Sequence, residues 1–225
     1  MKIRAVYRSK DFLVVHKPAG LVVYADRPED RGVVDLLARQ LGKSKVYPVH
    51  RLDKPTCGLL AVALTPEAAH RWSAIFRGRA VRKAYLAIVH GEPPVESVVD
   101  VSLPRNKDRA MEEAKTQFKR LATCEVEVAG ERRSYSLVRC EPRTGRYHQI
   151  RRHLKAQGHP ILGDEEYGNS WDNREMGKAF GVRRCLLSAT HLWFRDPFTG
   201  ESVALKDRPD RDFQSLAERL GWKLP

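Results

Sequence analysis

Cysteine is scarce in this sequence. Only four cysteines occur among 225 residues, and no two of them form a Cys-x-x-Cys pair. This wide scatter argues against a zinc ribbon and against the disulfide framework of a small secreted protein. We therefore expect four reduced thiols, at Cys57, Cys124, Cys140 and Cys185.

Long apolar runs are also missing. No stretch approaches the roughly 20 apolar residues that span a bilayer, and the N-terminus lacks the apolar stretch of a signal peptide. We expect a cytoplasmic protein without membrane association. No internal repeat, low-complexity segment or obvious coiled coil is present, so we expect a monomer and a single domain over residues 1–225.

Acidic residues are outnumbered by basic ones. The sequence has 41 Lys and Arg against 28 Asp and Glu, which gives a formal net charge of +13. Such an excess indicates a polyanionic partner, nucleic acid first of all, although a generally basic surface is the alternative. Two clusters favour binding: Arg77, Arg79, Arg82 and Lys83, and then Arg139, Arg143, Arg146, Arg151, Arg152 and Lys155.

The hydrophobic pattern predicts short strands and helices in alternation. Strands are expected over residues 3–7, 12–15, 59–64, 79–91, 118–128, 134–140, 185–191 and 192–194. Helices are expected over residues 32–41, 65–78 and 209–220, and in a segment that ends at Gly158. Residues 92–114 contain paired prolines and little periodicity, and we expect a mobile excursion there.

Residues 48–64 combine a polar turn with a buried strand. Residues 59–64 are all apolar, whereas the preceding residues are turn formers, so Asp53 is predicted to lie at the edge of the core. Arg51 and Lys54 would favour its ionised form. These are the properties of a nucleophile, but an Asp that hydrogen-bonds its own turn is the simpler alternative.

Two further segments supply candidate site residues. Lys83 and Tyr85 lie two apart on a strand and share its more polar face, whereas Ala84, Leu86 and Ile88 are predicted to face the core. Tyr85 could equally be an edge residue with its hydroxyl in water. In the helix before Gly158, the apolar stripe is predicted to contain Tyr147, Ile150 and Leu154, with Arg151 beside it. An arginine next to the core needs an anionic partner, and we predict Asp53. His148, Arg152 and Lys155 lie on another face and suit phosphate contacts or solvent.

Five motifs, in order, resemble those of the RluA-type pseudouridine synthases. They are Lys-Pro-x-Gly at 17–20, His-Arg-Leu-Asp-x-x-Thr-x-Gly-Leu-Leu at 50–60, Lys-x-Tyr-x-Ala at 83–87, Gly-Arg-x-His-Gln-Ile-Arg at 145–151, and a segment from His159 to Gly168. The sequence departs from the usual family residues at His16, Cys57, Tyr147 and Ser188.

The resemblance covers nearly the whole chain. It implies an α+β fold, with a mixed, largely antiparallel central sheet flanked by helices and an active-site cleft, and without an N-terminal S4 domain. It also implies that a specific uridine in structured RNA is isomerised after base flipping, with no metal or organic cofactor. The C-terminal segments look most like the subclass that modifies the acceptor-to-T-stem region of transfer RNA, and ribosomal RNA is the alternative.

The resemblance assigns roles to individual residues. Asp53 would be the nucleophile, attacking C1′ of the ribose or C6 of the uracil. Tyr85 would stack on the flipped base, and Arg151 would pair with Asp53. RNA contacts are expected from Arg51, which would fill the vacated space, and from His50, Lys83, Arg146, His148 and Arg152.

Two other functions remain open at this point. A noncatalytic RNA-binding protein is conceivable because Cys57 and Ser188 replace the usual Ser and His. A metal-dependent phosphoesterase could use His153, His159 and Asp164 as ligands, although their spacing is not that of a compact metal site.

Overall fold

The computed structural model describes residues 1–25, 31–104 and 110–225. These residues form two compact units. Unit 1 comprises Met1–Lys83 and Ala189–Pro209, and unit 2 comprises Ala84–Ser188 and Asp210–Pro225.

The described residues form twelve strands and five helices. In chain order they are β1 Arg4–Arg8, β2 Phe12–Lys17, α1 Val33–Gln40, β3 Tyr47–Pro48, β4 Cys57–Ala63, α2 Pro66–Arg77, β5 Arg82–His90, β6 Glu96–Asp100, β7 Leu103–Pro104, β8 Met111–Glu112, β9 Lys115–Val128, β10 Glu131–Pro142, α3 Gln149–Ala156, α4 Ser170–Phe180, β11 Leu187–Arg195, β12 Ser202–Lys206 and α5 Arg211–Arg219.

Unit 1 is built on a sheet in the order β1-β2-β4-β11-β12, with β3 paired to β4. The pairs β1–β2, β2–β4 and β11–β12 are antiparallel. Helix α2 contributes Trp72 to the core, where its ring stacks on Phe12 with a centroid distance of 3.6 Å. The edge of Phe194 completes this aromatic group, 5.1 Å from Trp72. Large aromatic areas removed from water contribute much of the stability of such a core.

The predicted buried strand of unit 1 is confirmed. Every residue of β4 is buried, and the strand begins at Cys57, two residues earlier than predicted. Gly58 is required at this point: its φ is +107°, and a Cβ there would lie 2.1 Å from the carbonyl oxygen of Ala189. Helix α2 begins as predicted, because Thr65 Oγ1 accepts a hydrogen bond from Ala68 N at 3.2 Å.

Unit 2 contains an antiparallel sheet in the order β5-β10-β9-β6. Strands β9 and β10 form one long hairpin around Ala129 and Gly130, both of which have positive φ. The core under this sheet gathers apolar side chains from β5, β10, α4 and α5, among them Leu86, Ile88, Tyr135, Leu137, Met176, Phe213 and Leu216.

Several sequence predictions need correction. Residues 96–100 form β6, which pairs with β9, and residues 103–104 and 111–112 form the small β7–β8 pair, so much of the expected excursion is regular structure. The rest of that prediction, at residues 105–109, lies outside the described residues. The two closing strands are one strand, β11, and neither α4 nor β12 was predicted. Strand β6 has one buried residue, Val99, and β12 has none, so neither strand gives the pattern of a half-buried strand.

The predicted α+β architecture, with a mixed, largely antiparallel sheet and helices, is confirmed. All four cysteines are free thiols. Among the described residues, no helix combines the length and the apolar character that crossing a membrane requires.

Candidate active site

Asp53 lies in the loop that leads into β4 of unit 1. It is half-buried, between the buried Leu52 and the exposed Lys54, as the sequence predicts for a carboxylate at the edge of the core. Thr56 N donates to Asp53 O at 3.1 Å, so the turn is closed by the backbone. Arg51, two residues before, is exposed. A carboxylate in this position combines partial desolvation with access for a substrate.

The loop that carries Asp53 is held by a buried lysine that the sequence analysis did not single out. Lys17, the last residue of β2, is 0% exposed. Its Nζ donates to the carbonyl oxygens of Pro18 at 3.0 Å, Leu21 at 2.7 Å and Lys54 at 3.2 Å. Gly20 N also donates to Lys54 O, at 2.9 Å. The Lys-Pro-x-Gly turn is therefore bonded to the residue next to Asp53.

The positive charge of Lys83 acts on His50, and both residues belong to unit 1. Burial, and then the charge of Lys83, lower the pKa of His50 to about 3, so the imidazole is neutral at physiological pH. Its Nε2 accepts a hydrogen bond from Ala61 N at 3.0 Å, and its ring stacks on Phe76 with centroids 4.7 Å apart. Burial also lowers the pKa of Lys83. These contacts give His50 a structural role, and its predicted contact with RNA stays a prediction.

Tyr85 lies on β5 of unit 2, opposite Cys140 of β10. It is 9% exposed, which excludes the alternative of an edge tyrosine in water. The flanking Ala84 and Leu86 are buried as predicted, but the strand is buried on both faces from Ala84 onward. The expectation of a polar face around Tyr85 was therefore wrong. A tyrosine held in this way has few rotamers open to it, which suits a ring that must stack on a substrate base.

Arg151 of α3 binds a carboxylate within unit 2. It is 4% exposed, and it donates to Asp164 from Nε at 2.6 Å and from Nη2 at 2.8 Å. The Nη2 atom also lies 3.3 Å from Glu166 Oε2. Burial of Asp164 opposes ionisation, but the bonds from Arg151 and from the backbone outweigh it and lower the pKa of Asp164. The sequence correctly predicts that Arg151 needs an anion.

The sequence predicts Asp53 as the anionic partner of Arg151. Asp53 and Arg151 belong to different units, and the pair between them stays a prediction. Asp164 was missed as a partner because it was considered only as a possible metal ligand. Its position could have indicated this role, because Asp164 is a carboxylate that follows Gly163 in the short segment after α3.

The remaining basic candidates surround the N-terminus of α3. Arg146 pairs with Glu112 Oε2 at 2.6 Å and donates to Glu113 O at 3.0 Å. Arg152 donates to Pro104 O at 3.3 Å. His148 precedes the helix in the left-handed conformation, with φ 52°, and its Nδ1 lies 3.2 Å from Tyr167 Oη. Their roles as RNA contacts stay predictions.

Tyr147 does not lie on the apolar stripe of α3. The helix begins at Gln149, and Tyr147 precedes it with 42% of its surface exposed. The sequence pattern was misread because the left-handed residue at His148 breaks the helical spacing before the helix starts. Ile150, Arg151 and Leu154 are buried as predicted.

The three residues considered as metal ligands have other partners. His153 lies 3.0 Å from Thr116 Oγ1 and 3.1 Å from Val101 O, and His159 Nδ1 lies 3.0 Å from His90 O. Asp164 is bound by Arg151. Over residues 1–25, 31–104 and 110–225, no group of three or more His, Cys, Asp or Glu side chains could hold a metal ion.

Comparisons with known proteins agree with this fold. A family model described as RNA pseudouridylate synthase matches residues 11–156. The tRNA pseudouridine synthase C of Pasteurella multocida (strain Pm70) is 37% identical over 240 residues, covering 100% of this chain and 98% of that protein. The protein of the same name from Vibrio vulnificus (strain CMCP6) is 34% identical over 236 residues, covering 98% of this chain and 96% of that protein.

Two solved structures have a fold similar to that of this chain. Human RNA Pseudouridylate Synthase Domain Containing 4 has a TM-score of 0.77 and 27% identity, over 99% of this chain and 94% of that chain. Human RNA Pseudouridylate Synthase Domain Containing 1 has a TM-score of 0.75 and 30% identity, over 93% of this chain and 84% of that chain. The fold and the family expected from the motifs are confirmed. The chain therefore belongs to the RNA pseudouridylate synthase family and is an enzyme that converts uridine to pseudouridine in RNA.

Proposed function

We propose that the substrate is transfer RNA, modified at a uridine of the acceptor-to-T-stem region, and that Asp53 is the nucleophile. The observation that carries the second part is the position of Asp53, half-buried in a loop that the fully buried Lys17 bonds in place. The substrate rests on relatives named tRNA pseudouridine synthase C that match this chain from end to end.

The isomerisation breaks the N1–C1′ bond of uridine and forms a C5–C1′ bond. C5 loses a proton and N1 gains one, so no oxidant or reductant is needed. The carboxylate of Asp53 keeps the two halves of the nucleotide together by forming a covalent bond, either to C1′ or to C6. No metal or organic cofactor takes part.

Other residues prepare this step. The target uridine has to leave its stack, which costs a few kcal/mol that contacts in the pocket offset. Arg51, which is exposed, fills the vacated space, and the buried Tyr85 stacks on the flipped base and assists removal of the C5 proton. Arg151 pairs with Asp53 and keeps it ionised and oriented.

The excess of positive charge supplies the remaining affinity. Lys83, Arg146, His148 and Arg152 contact phosphates, together with His50, whose ring is neutral and adds no charge there. The chain acts as one catalytic domain over residues 1–225, as a monomer, in the cytoplasm.

The test is to incubate the protein with chelator and unmodified total transfer RNA or ribosomal RNA, and to map new pseudouridines by carbodiimide chemistry. We expect one new site in transfer RNA. Asp53→Asn should abolish it while RNA affinity persists, and the matched control Asp11→Asn, in a turn of the same unit, should not.

The possible failures are distinct. Robust turnover by Asp53→Asn would refute the nucleophile. A site found only in ribosomal RNA would refute the substrate but not the reaction. A loss of activity in chelator would refute the cofactor-free mechanism.

A further inference from the structure

Tyr147 is an exposed aromatic residue on a loop that buried hydrogen bonds hold in place. The loop joins β10 to α3, and 42% of the tyrosine surface is accessible. No role in the proposed reaction uses this ring. An exposed aromatic side chain in a rigid setting points to a binding function more than one at a mobile tip does.

The loop is fixed by two buried polar residues. Gln149, 4% exposed, accepts from Thr144 Oγ1 at 2.7 Å and from Arg146 N at 3.0 Å. It donates to Lys115 O at 3.0 Å and to Thr116 Oγ1 at 2.9 Å. All hydrogen-bonding groups of this amide therefore have partners, and such a satisfied buried network makes a segment rigid.

The ring of Tyr147 is itself oriented by a second ring. It stacks on His148 with centroids 3.6 Å apart and an interplanar angle of 21°. His148 is in turn held by Tyr167 Oη and Glu166 Oε2, each 3.2 Å from Nδ1. Since His148 covers one face of the tyrosine, a base that stacks on this ring has to use the opposite face.

Basic side chains that could attract RNA phosphates surround Tyr147. Within the same segment, Arg143 and Lys155 are exposed, and the guanidinium of Arg152 lies 3.5 Å from Tyr147 O. Glu166 Oε2 contacts both His148 and Arg151, so His148, on which the tyrosine stacks, is linked through Glu166 to a residue proposed for the reaction. Cations that attract phosphates beside an aromatic plane are the usual elements of a single-strand binding site.

We propose that Tyr147 is a stacking platform for an unpaired base of the substrate RNA, near the target uridine. This inference rests on the proposed function in one respect: the ligand is the RNA that the enzyme modifies. The ring contributes affinity and selects RNA in which a base is unpaired at this point. It does not take part in bond making.

The experiment measures RNA affinity in the Asp53→Asn background, so that turnover does not interfere. The probe is total unmodified transfer RNA, bound to the full chain over a series of potassium chloride concentrations. Tyr147→Ala should weaken binding roughly 5- to 100-fold. Because a stack involves no counterion, the slope of log K against log salt should stay unchanged, whereas Arg152→Met should lower it.

Companion variants separate stacking from other effects. Tyr147→Phe keeps the ring and should bind within about twofold of the parent, whereas Tyr147→Leu should resemble Tyr147→Ala. Tyr24→Ala removes another exposed tyrosine and should change affinity less than about twofold. Equal losses for Tyr24→Ala and Tyr147→Ala, a loss in Tyr147→Phe as large as in Tyr147→Ala, or no loss at all would overturn the inference.

The affinity measurement does not depend on which uridine is modified. If transfer RNA is bound but not modified, the proposed substrate fails, while the Tyr147 comparison can be repeated on the ribosomal RNA pool. If modification occurs as proposed and Tyr147→Ala binds normally, only the stacking inference fails.

Discussion

The side-chain nitrogen of Lys17 donates a hydrogen bond to the carbonyl oxygen of Lys54 over 3.2 Å, beside the proposed nucleophile. Two more carbonyl oxygens, of Pro18 and Leu21, accept from the same nitrogen. One fully buried side chain therefore fixes two loops of unit 1, and the loop of Asp53 depends on it. A nucleophile must be held close to its productive geometry, and this contact does so through the backbone.

Replacing Lys17 should damage catalysis more than binding. Lys17→Met leaves three carbonyl oxygens without this donor, which should lower the free energy of unfolding by about 1–3 kcal/mol or more. Displacement of the Asp53 loop should lower kcat by roughly 10- to 100-fold. RNA affinity should change little, because Lys17 is not among the residues proposed to contact phosphates. Single-turnover kinetics, filter binding and urea unfolding measure the three quantities.

The control for this variant is Lys10→Met, which removes an exposed lysine from the turn before β2. It should leave both stability and kcat near those of the parent. Equal kcat values for Lys17→Met and the parent would show that the loop keeps its geometry without this hydrogen-bond donor.

Breaking the pair of Arg151 and Asp164 should destabilise unit 2. Arg151→Met leaves Asp164 buried and unpaired, which should cost about 3–5 kcal/mol. Arg152→Met removes a partly exposed arginine and should cost less than about 1 kcal/mol. Urea unfolding of both variants measures the difference.

A double variant separates stability from chemistry. Arg151→Met with Asp164→Asn removes both charges, so it should recover part of the lost stability. Activity should not return, because Arg151 is also the proposed partner of Asp53. A double variant that regains full turnover would show that Arg151 acts only through Asp164.

His50 should make the stability depend on pH. Its pKa is lowered from 6.5 to about 3, so between these values the unfolded chain binds a proton that the folded chain does not. Its contribution to stability is therefore fully present above about pH 6.5 and is lost as the pH falls toward 3. The pKa values of His90 and His153 are also lowered, mainly by burial, and act in the same direction.

The measurement is urea unfolding between pH 7 and pH 4. His50→Gln can still accept from Ala61 N but does not titrate, so its stability should fall less steeply with decreasing pH than that of the parent. His70→Gln, at an exposed position of α2, should run parallel to the parent. Identical slopes for all three proteins would contradict the assignment of a neutral, buried His50.

The sequence by itself determined the parts that depend on neighbouring residues. An unbroken apolar run specifies β4, and the polar turn before it puts Asp53 at the edge of the core. Thr65 and the following Pro66 specify the start of α2, because a cap bonds to backbone within one turn. The order of the motifs and the excess of basic residues likewise specified the family and an RNA partner.

Only the tertiary structure decided contacts between distant residues. Lys17 meets Lys54 across 37 positions, and Arg151 meets Asp164 through a turn whose path no periodicity reveals. The exposure of Tyr147 depends on a single left-handed residue, His148, which breaks the helical pattern. Local patterns reflect interactions within a turn or a strand, whereas the partner of a buried charge depends on how the whole chain is routed.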